Sequence, residues 1–361
     1  MLRSALSTLF LATLASAQSN YNFTINGSQS NFTWTGTSSL GAIVGNPSNQ
    51  FRLEGGVLVT TGATAGTPDL VGIVSGNALV TPDIRGRINN PLPFLPPLAT
   101  IDITGLTLSP SAPPVAVAAG GAFTGALTLT ATTGTFTVTP LGGTPTTTSL
   151  VGAVSTPQVT NGTIVRNGAL LQLSTPINTT FAFSDPTSGA TGSITVVGTM
   201  RAEYSLAKAY CFGDGSSVAC PCGNNSTSAS ASGCLNSTGA GGRLVGAGLA
   251  STAADSLSLS VSNLPASTTV LLFQGTTTTA SAFGDGLRCA AGTILRLGTR
   301  TTSAGAASWP GTGGAPGLST IGAIPTAGGV RNYQAWYRNS ASFCTPSVFN
   351  LTNGLQVTWL P

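Results

Sequence analysis

The chain has 361 residues, of which 41% are hydrophobic and only 6% are charged, and it contains no histidine. Soluble proteins usually carry about 25% charged residues, so Ser, Thr, Asn and Gly must cover much of this surface. The lack of histidine excludes Ser-His-Asp and Cys-His catalysis and histidine-ligated metals. The formal charge of +4 is scattered along the chain, which argues against a nucleic acid partner.

Residues 1–17 have the pattern of a secretory signal peptide. Arg3 provides a positive start, Leu9–Leu14 forms a short apolar segment, and Ala15-Ser16-Ala17 is a small-residue cleavage site. The apolar segment is shorter than the about 20 residues that cross a bilayer, and we expect no membrane span elsewhere. The sequence therefore predicts a secreted or cell-surface protein whose mature chain starts at Gln18.

Residues 18–206 form the first predicted domain, which is rich in Thr, Gly and Pro. Its clearest pattern is Ala122–Leu141, where apolar residues alternate with threonines up to Thr132-Thr133-Gly134 and again from Phe136 onward. This pattern predicts a β-hairpin that turns at Thr132-Thr133-Gly134, with one apolar and one threonine face. Similar alternation predicts further strands around Phe32/Trp34, Ile101/Ile103, Leu171/Leu173 and Ile194/Val196.

Residues 207–361 form the second predicted domain, again made of strands separated by glycine-rich loops. Strands are predicted at Leu244–Leu249, Ser256–Ser262, Thr269–Gln274, Thr293–Arg300, Asn332–Arg338 and Leu355–Trp359. Many short strands at this spacing are typical of sandwiches and barrels. The predicted fold class is therefore all-β, with two antiparallel β-sandwich or barrel-like domains, the second held by disulfides.

The cysteines all lie in the second predicted domain: Cys211, Cys220, Cys222, Cys234, Cys289 and Cys344. An even number of cysteines in an exported chain predicts disulfides. Proximity favours a long-range bridge between Cys289 and Cys344, with the other four cysteines closing the loop from Cys211 to Cys234. The alternative is a zinc site built from those four thiolates, but the Cys-Pro-Cys spacing departs from the usual Cys-x2-Cys pattern. We therefore expect no metal or other cofactor.

Several motifs follow one another in this second domain: Tyr210-Cys-Phe-Gly-Asp-Gly215, Cys220-Pro-Cys-Gly-Asn-Asn225, Leu272-Phe-Gln-Gly275, Phe283-Gly-Asp-Gly-Leu-Arg-Cys289, Tyr333-Gln-Ala-Trp-Tyr-Arg338 and Phe349-Asn-Leu-Thr-Asn-Gly-Leu355. Together they resemble a cysteine-rich module that ends many exported proteins of planctomycete-type bacteria. In that family the module follows different N-terminal regions. The resemblance implies a bacterial host and a shared task such as surface attachment or sorting, and it implies no activity or catalytic residues.

The predicted strand Asn332–Arg338 provides candidate ligand-binding residues. Tyr333 and Tyr337 share one face, whereas Trp336 and Arg338 share the other. Aromatic rings beside an arginine can stack on a sugar and bond its hydroxyls, so these four residues form a candidate polysaccharide-binding surface. The competing interpretation is that one face is core and a loop partly covers the other, with Arg338 lying over Trp336.

The motif Phe-Gly-Asp-Gly occurs at 212–215 and again at 283–286. One interpretation is that both loops bring Asp214 and Asp285 to a common calcium ion. Calcium takes six to eight oxygen ligands, and two carboxylates supply few of them. The alternative is a tight turn in which glycine adopts a positive φ and the aspartate bonds its own backbone.

The nine carboxylates of the chain are thinly spread, and no pair stands out as a catalytic couple. We therefore expect no enzyme activity. The sequence favours an exported structural or adhesive protein of the cell envelope or extracellular matrix, in which the C-terminal module serves attachment or sorting. The alternative function is carbohydrate binding by the aromatic face of that module.

Overall fold

The computed structural model describes residues 18–62, 67–184, 189, 191–311, 315–340, 343 and 345–361. The predicted signal peptide and Cys344 lie outside these described residues. No helix within the described ranges is long and apolar enough to cross a membrane.

The first part of the chain forms a single antiparallel sheet, which has thirteen strands in the described residues. They are β1 (Gln18–Ile25), β2 (Asn31–Ser38), β3 (Gly41–Gly45), β4 (Gln50–Gly62), β5 (Leu70–Gly76), β6 (Ala78–Thr81), β7 (Ile84–Ile88), β8 (Ala99–Ala116), β9 (Ala122–Pro140), β10 (Thr146–Ser149), β11 (Gln158–Asn167), β12 (Leu170–Ser184) and β13 (Thr191–Ser205). The sheet closes on itself, because the pairings β1–β4–β5–β8–β9–β11–β12–β13 return to β1. Its architecture is therefore barrel-like, which is one of the two architectures predicted for this domain.

The interior of this closed sheet is built by the predicted alternation. Phe32 and Trp34 on β2 point into the core, and so do Leu171 and Leu173 on β12. Thr33 and Thr35, which alternate with Phe32 and Trp34, are exposed. Alternation with period two buries one face of each strand, which explains how a sequence with so few charges still separates core from surface.

The predicted hairpin within Ala122–Leu141 is wrong, because β9 continues as a single strand paired with β8 on both sides of Gly134. The buried positions change from odd to even residue numbers, from Leu129 and Ala131 to Phe136. The register with β8 shifts at this point, and Gly134 adopts a φ of 118°. Such a register shift is a β-bulge, in which one strand has an extra residue. A bulge changes which side chains face the core without reversing the direction of the chain.

The second part of the chain forms three smaller sheets. Its strands are β14 (Ala207–Tyr210), β15 (Arg243–Ala247), β16 (Ser258–Ser262), β17 (Thr269–Gly275), β18 (Thr277–Phe283), β19 (Gly286–Ala291), β20 (Leu295–Thr301), β21 (Ala307–Trp309), β22 (Gly329–Arg338), β23 (Phe349–Leu351) and β24 (Gly354–Trp359), with a short helix α1 (Leu318–Ile321) and a 3-10 turn at Ser228–Ser230. The sheets are β14-β24-β22-β17-β20 with β23 beside β22, then β15-β16-β21, and the hairpin β18-β19. All six strands predicted here are present, and the structure adds β14, β21, β23 and the hairpin β18-β19 to them.

The six-stranded sheet and the three-stranded sheet pack face to face as a sandwich. Leu259 and Trp309 from the smaller sheet share one core with Leu272, Tyr333 and Tyr337 from the larger sheet. Every pairing between the named strands of this part is antiparallel. The predicted all-β fold class is confirmed.

Leu206 connects the two sets of sheets. Its amide donates to the carbonyl of Ala169 at 2.7 Å, and its carbonyl accepts from the amide of Thr358 at 2.7 Å. The sheets therefore divide next to the predicted boundary, while the division into independently folding domains stays a prediction.

Candidate ligand-binding surface

Strand β22 carries the predicted ligand-binding residues and lies inside the six-stranded sheet between β17 and β24. The strand presents two different faces. Tyr333, Ala335 and Tyr337 enter the sandwich core, and Trp336 and Arg338 lie on the opposite face. The predicted alternation of this strand is therefore correct, but its two faces have different roles.

The expectation that Tyr333 and Tyr337 contact a ligand needs correction, because both side chains are 0% exposed. The hydroxyl of Tyr333 accepts a hydrogen bond from the Trp359 indole N–H at 2.8 Å, and that of Tyr337 accepts one from the side-chain nitrogen Nδ2 of Asn236 at 3.1 Å. Burial raises the pKa of both phenols. These tyrosines stabilise the core, where the three-stranded sheet covers them.

Gln334 holds the hairpin β18-β19 against the outer face of the sheet. Its side-chain oxygen accepts from the amides of Cys289 and Ala290 at 2.8 and 3.3 Å. Its side-chain nitrogen donates to the carbonyls of Leu287 and Thr352, both at 2.8 Å. A buried glutamine with all of these partners is fully occupied, so Gln334 positions the hairpin and is not accessible to a ligand.

Trp336 is half-buried beside this hairpin, and neighbouring side chains fix its ring. The ring centroid of Phe349 lies 5.6 Å away, and the guanidinium carbon of Arg338 lies 5.6 Å over the indole. Phe349 also contacts Phe283 at a centroid distance of 5.0 Å. Arg338 lies over Trp336 as the competing interpretation of this strand expects, but the segment beside the face is the hairpin β18-β19 and not a loop.

A concave cleft of about 470 Å³ remains between the hairpin and the sheet, with Trp336 in its wall. The register of the strands explains why these residues line one cleft. Leu271 of β17 lies opposite Trp336, and Phe273 of β17 lies opposite Arg296 of β20. On the other side, β23 places Leu351 opposite Trp336. The lining residues are Leu271, Phe273, Phe283, Arg288, Ile294, Arg296, Trp336 and Leu351.

The charged side chains at this cleft are arginines. Arg288 and Arg296 line it, and Arg338 lies over the adjoining ring of Trp336. None of the three forms an ion pair with a carboxylate of the described residues. Residues 207–361 contain seven basic side chains and three aspartates. The cleft thus combines an apolar, aromatic wall with positive charge.

Sequence reasoning missed Phe283, Arg288 and Arg296 as site residues, because they come from a hairpin and a neighbouring strand far from Trp336 along the chain. One signal was present: Phe283 and Arg288 both belong to the motif Phe283-Gly-Asp-Gly-Leu-Arg-Cys289. The structure shows that this motif forms the turn and the second strand of the hairpin that borders the cleft.

The two aspartates considered as calcium ligands lie in turns. Asp214 accepts hydrogen bonds from the hydroxyl and the amide of Ser216 at 2.5 and 2.9 Å, and these bonds lower its pKa. Asp285 is buried, and one of its oxygens accepts from the amide and hydroxyl of Thr345. Gly215 and Gly284 adopt φ angles of 83° and 62°. The described residues contain no group of three or more Cys, Asp or Glu that could hold a metal.

The disulfides differ from the predicted pairing. Cys211 pairs with Cys289, and Cys220 pairs with Cys234, each with a Cα–Cα distance of 5.9 Å. Cys222 is disulfide-bonded as well. The predicted bridge from Cys289 to Cys344 is therefore wrong, and so is the alternative zinc site, because its thiolates are consumed. The hairpin brings Cys289 back to the end of β14, where the Tyr210 hydroxyl also bonds the Cys289 carbonyl at 2.9 Å.

The first part of the chain contains a separate interior cavity of about 60 Å³. Its walls are apolar and include Phe51, Phe136, Leu150 and Phe183. A cavity of about 150 Å³ is known to accept benzene, so this one is too small for a ring-shaped ligand. The cleft beside Trp336, at about 470 Å³, is large enough for such a ligand.

Comparison of this chain with protein-family models, with curated proteins and with solved structures finds no match. The fold and the disulfides place the chain in a broad structural class: antiparallel all-β proteins with disulfide bonds in the C-terminal part.

Proposed function

We propose that this is an exported, non-enzymatic structural or adhesive protein of a bacterial cell envelope or extracellular matrix, in which residues 207–361 serve surface attachment or sorting. The observation that carries the proposal is the pair of buried disulfides in that part of the chain. Disulfides persist in oxidising, exterior compartments, where a stapled β-sandwich resists unfolding and proteolysis. The likeness of its cysteine motifs to a module of exported planctomycete-type proteins supports the same role.

The test compares reporter fusions expressed in a native-like host. One fusion carries the whole chain, a second carries residues 207–361 behind the signal peptide, and a third lacks residues 207–361. Surface retention of the first two, with release of the third, is the expected result. Equal localisation of all three would contradict an attachment role. Turnover in a hydrolase screen that is lost on replacing one carboxylate would contradict the non-enzymatic assignment.

A second candidate function is carbohydrate binding, and the cleft beside Trp336 favours it. Binding sites for small molecules are concave, mostly apolar and about 300–1,000 Å³ in volume, and this cleft of about 470 Å³ falls in that range. A polysaccharide pull-down with Trp336→Ala tests it. Phe94→Ala is the matched control, since Phe94 is 78% exposed in the first part of the chain. Retention that depends on Trp336 and not on Phe94 is expected.

A further inference from the structure

We propose that the cleft beside Trp336 takes an acidic polysaccharide, whose rings stack on the aromatic wall while its carboxylate or sulfate groups bind Arg296 and Arg338. This inference rests on the second candidate function and names its ligand class. It uses three features of the cleft: exposed aromatic surface, arginines without carboxylate partners, and the surrounding charge.

The wall of the cleft exposes part of its aromatic and apolar surface. Phe283 is 45% exposed and Ile294 is 37% exposed, while Trp336 is half-buried with its orientation fixed by Phe349. Burying such surface under a flat ligand is favourable, because apolar area leaves water and rings held in place lose little entropy on binding. A pyranose ring has flat C–H faces suited to this contact.

The arginines supply the selectivity for negative charge. Arg338 is exposed and held over the indole of Trp336, and Arg296 is exposed on β20, across β17 from Trp336. A guanidinium presents a planar set of donors that matches a carboxylate or sulfate in two-point hydrogen bonds. Arg288 also lines the cleft, where its Nε donates to the carbonyl of Ala290 at 3.1 Å and its guanidinium adds positive charge.

The carboxylates of this part of the chain do not neutralise the cleft. Asp285, the nearest in sequence to Arg288, is buried and directed toward Thr345. Asp255 bonds Ser319 beside the helix α1, and Asp214 bonds Ser216. The positive field at the cleft therefore favours an anionic ligand over a neutral one.

The exterior location that we propose for the protein favours a polysaccharide over other anionic ligands. Aromatic rings with arginines also suit single-stranded nucleic acid. The disulfides, however, indicate an exterior compartment. Acidic polysaccharides are anionic polymers of cell surfaces and matrices, and we therefore commit to them as the ligand class.

Affinity measurements on the whole mature chain, with its disulfides formed, test the inference. The carboxylate probe is polygalacturonate, with methyl-esterified polygalacturonate as its neutral counterpart. The sulfate probe is dextran sulfate, with dextran as its neutral counterpart. We expect at least one acidic polymer to bind about tenfold tighter than its neutral counterpart. The arm that binds identifies carboxylate or sulfate as the recognised group.

Variants localise the effect. We expect Arg296→Gln and Arg338→Gln each to weaken binding about tenfold, since a charge-assisted hydrogen bond typically contributes that much. Arg243→Gln is the matched control, because Arg243 is exposed on β15 of the other sheet. Native tryptophan fluorescence and circular dichroism of each variant establish that it is folded before its affinity is compared.

The alternative outcomes are distinct. Equal affinity for acidic and neutral polymers would overturn the inference but leave carbohydrate binding standing. Binding to no polysaccharide would overturn both. Wild-type affinity in both Arg296→Gln and Arg338→Gln would overturn the assigned site. Single-stranded DNA or polyaspartate bound as tightly as the best polysaccharide, with the same dependence on these arginines, would show a general anion site and overturn the ligand class.

Discussion

The indole N–H of Trp359 donates a hydrogen bond of 2.8 Å to the hydroxyl of Tyr333, and both side chains are buried in the C-terminal sandwich. Each therefore satisfies the polar atom of the other in a site that excludes water. Two large aromatic residues can occupy this core because their only polar groups are paired.

Tyr333→Phe is expected to lower the free energy of unfolding by about 1–3 kcal/mol, because the indole N–H is left buried without an acceptor. Denaturant unfolding followed by tryptophan fluorescence measures the change. Tyr204→Phe is the control, since the Tyr204 hydroxyl makes a weaker contact of 3.3 Å with Thr358 at a half-buried position. An equal loss in both variants would show that the Trp359 pair has no special contribution.

Tyrosine ionisation is expected to destabilise the protein at high pH. Burial raises the pKa of Tyr210, Tyr333 and Tyr337 above the ordinary value of 10.0. The unfolded chain releases these protons near pH 10, while the folded chain retains them, so stability is full below that pH and falls as pH rises above it. Absorbance titration should show these phenols ionising late, together with unfolding. Early ionisation of all five tyrosines in folded protein would contradict this.

Removing the two observed disulfides is expected to have unequal effects. Cys211–Cys289 spans 78 positions and Cys220–Cys234 spans 14. The chain-entropy account predicts that the paired serine variants lose about 4.5 and about 3 kcal/mol, respectively, because the longer loop restricts the unfolded chain more. Denaturant unfolding of both double variants measures this. Mapping of unreduced peptides should recover both linkages, and a linkage joining Cys289 to Cys344 would contradict the structure.

Gln334→Leu is expected to loosen the hairpin β18-β19 and lower stability by more than about 3 kcal/mol, since it removes hydrogen bonds from several buried backbone groups at once. Hydrogen exchange should show faster exchange at Cys289 and Ala290, whose amides bond Gln334. Gln50→Leu, at an exposed position, is the control and should leave exchange there unchanged. Unchanged protection in Gln334→Leu would show that the hairpin is held by other contacts.

Local alternation predicted much of the fold. The six strands expected after residue 207 are present, and the paired apolar positions such as Phe32/Trp34 are buried. Gly134 shows the limit of this reasoning. A hairpin and a bulge produce the same change in the phase of alternation along the sequence. Only the pairing with a neighbouring strand tells which of the two is present. Here β8 pairs on both sides, so the strand continues.

The strand Asn332–Arg338 shows the same limit for the candidate site. Alternation correctly separated Tyr333 and Tyr337 from Trp336 and Arg338, but it did not say which face is core. The sandwich partner decided this, because the three-stranded sheet covers the tyrosines.

The sequence by itself determined the all-β class, the faces of several strands, and the presence of disulfides in the C-terminal part. These properties depend on residue type and short-range period. Tertiary structure alone decided that Cys211 meets Cys289 and that Phe283, Arg296 and Trp336 border one cleft. Such contacts depend on strand order and hairpin placement, and these are set by packing between segments far apart in the chain.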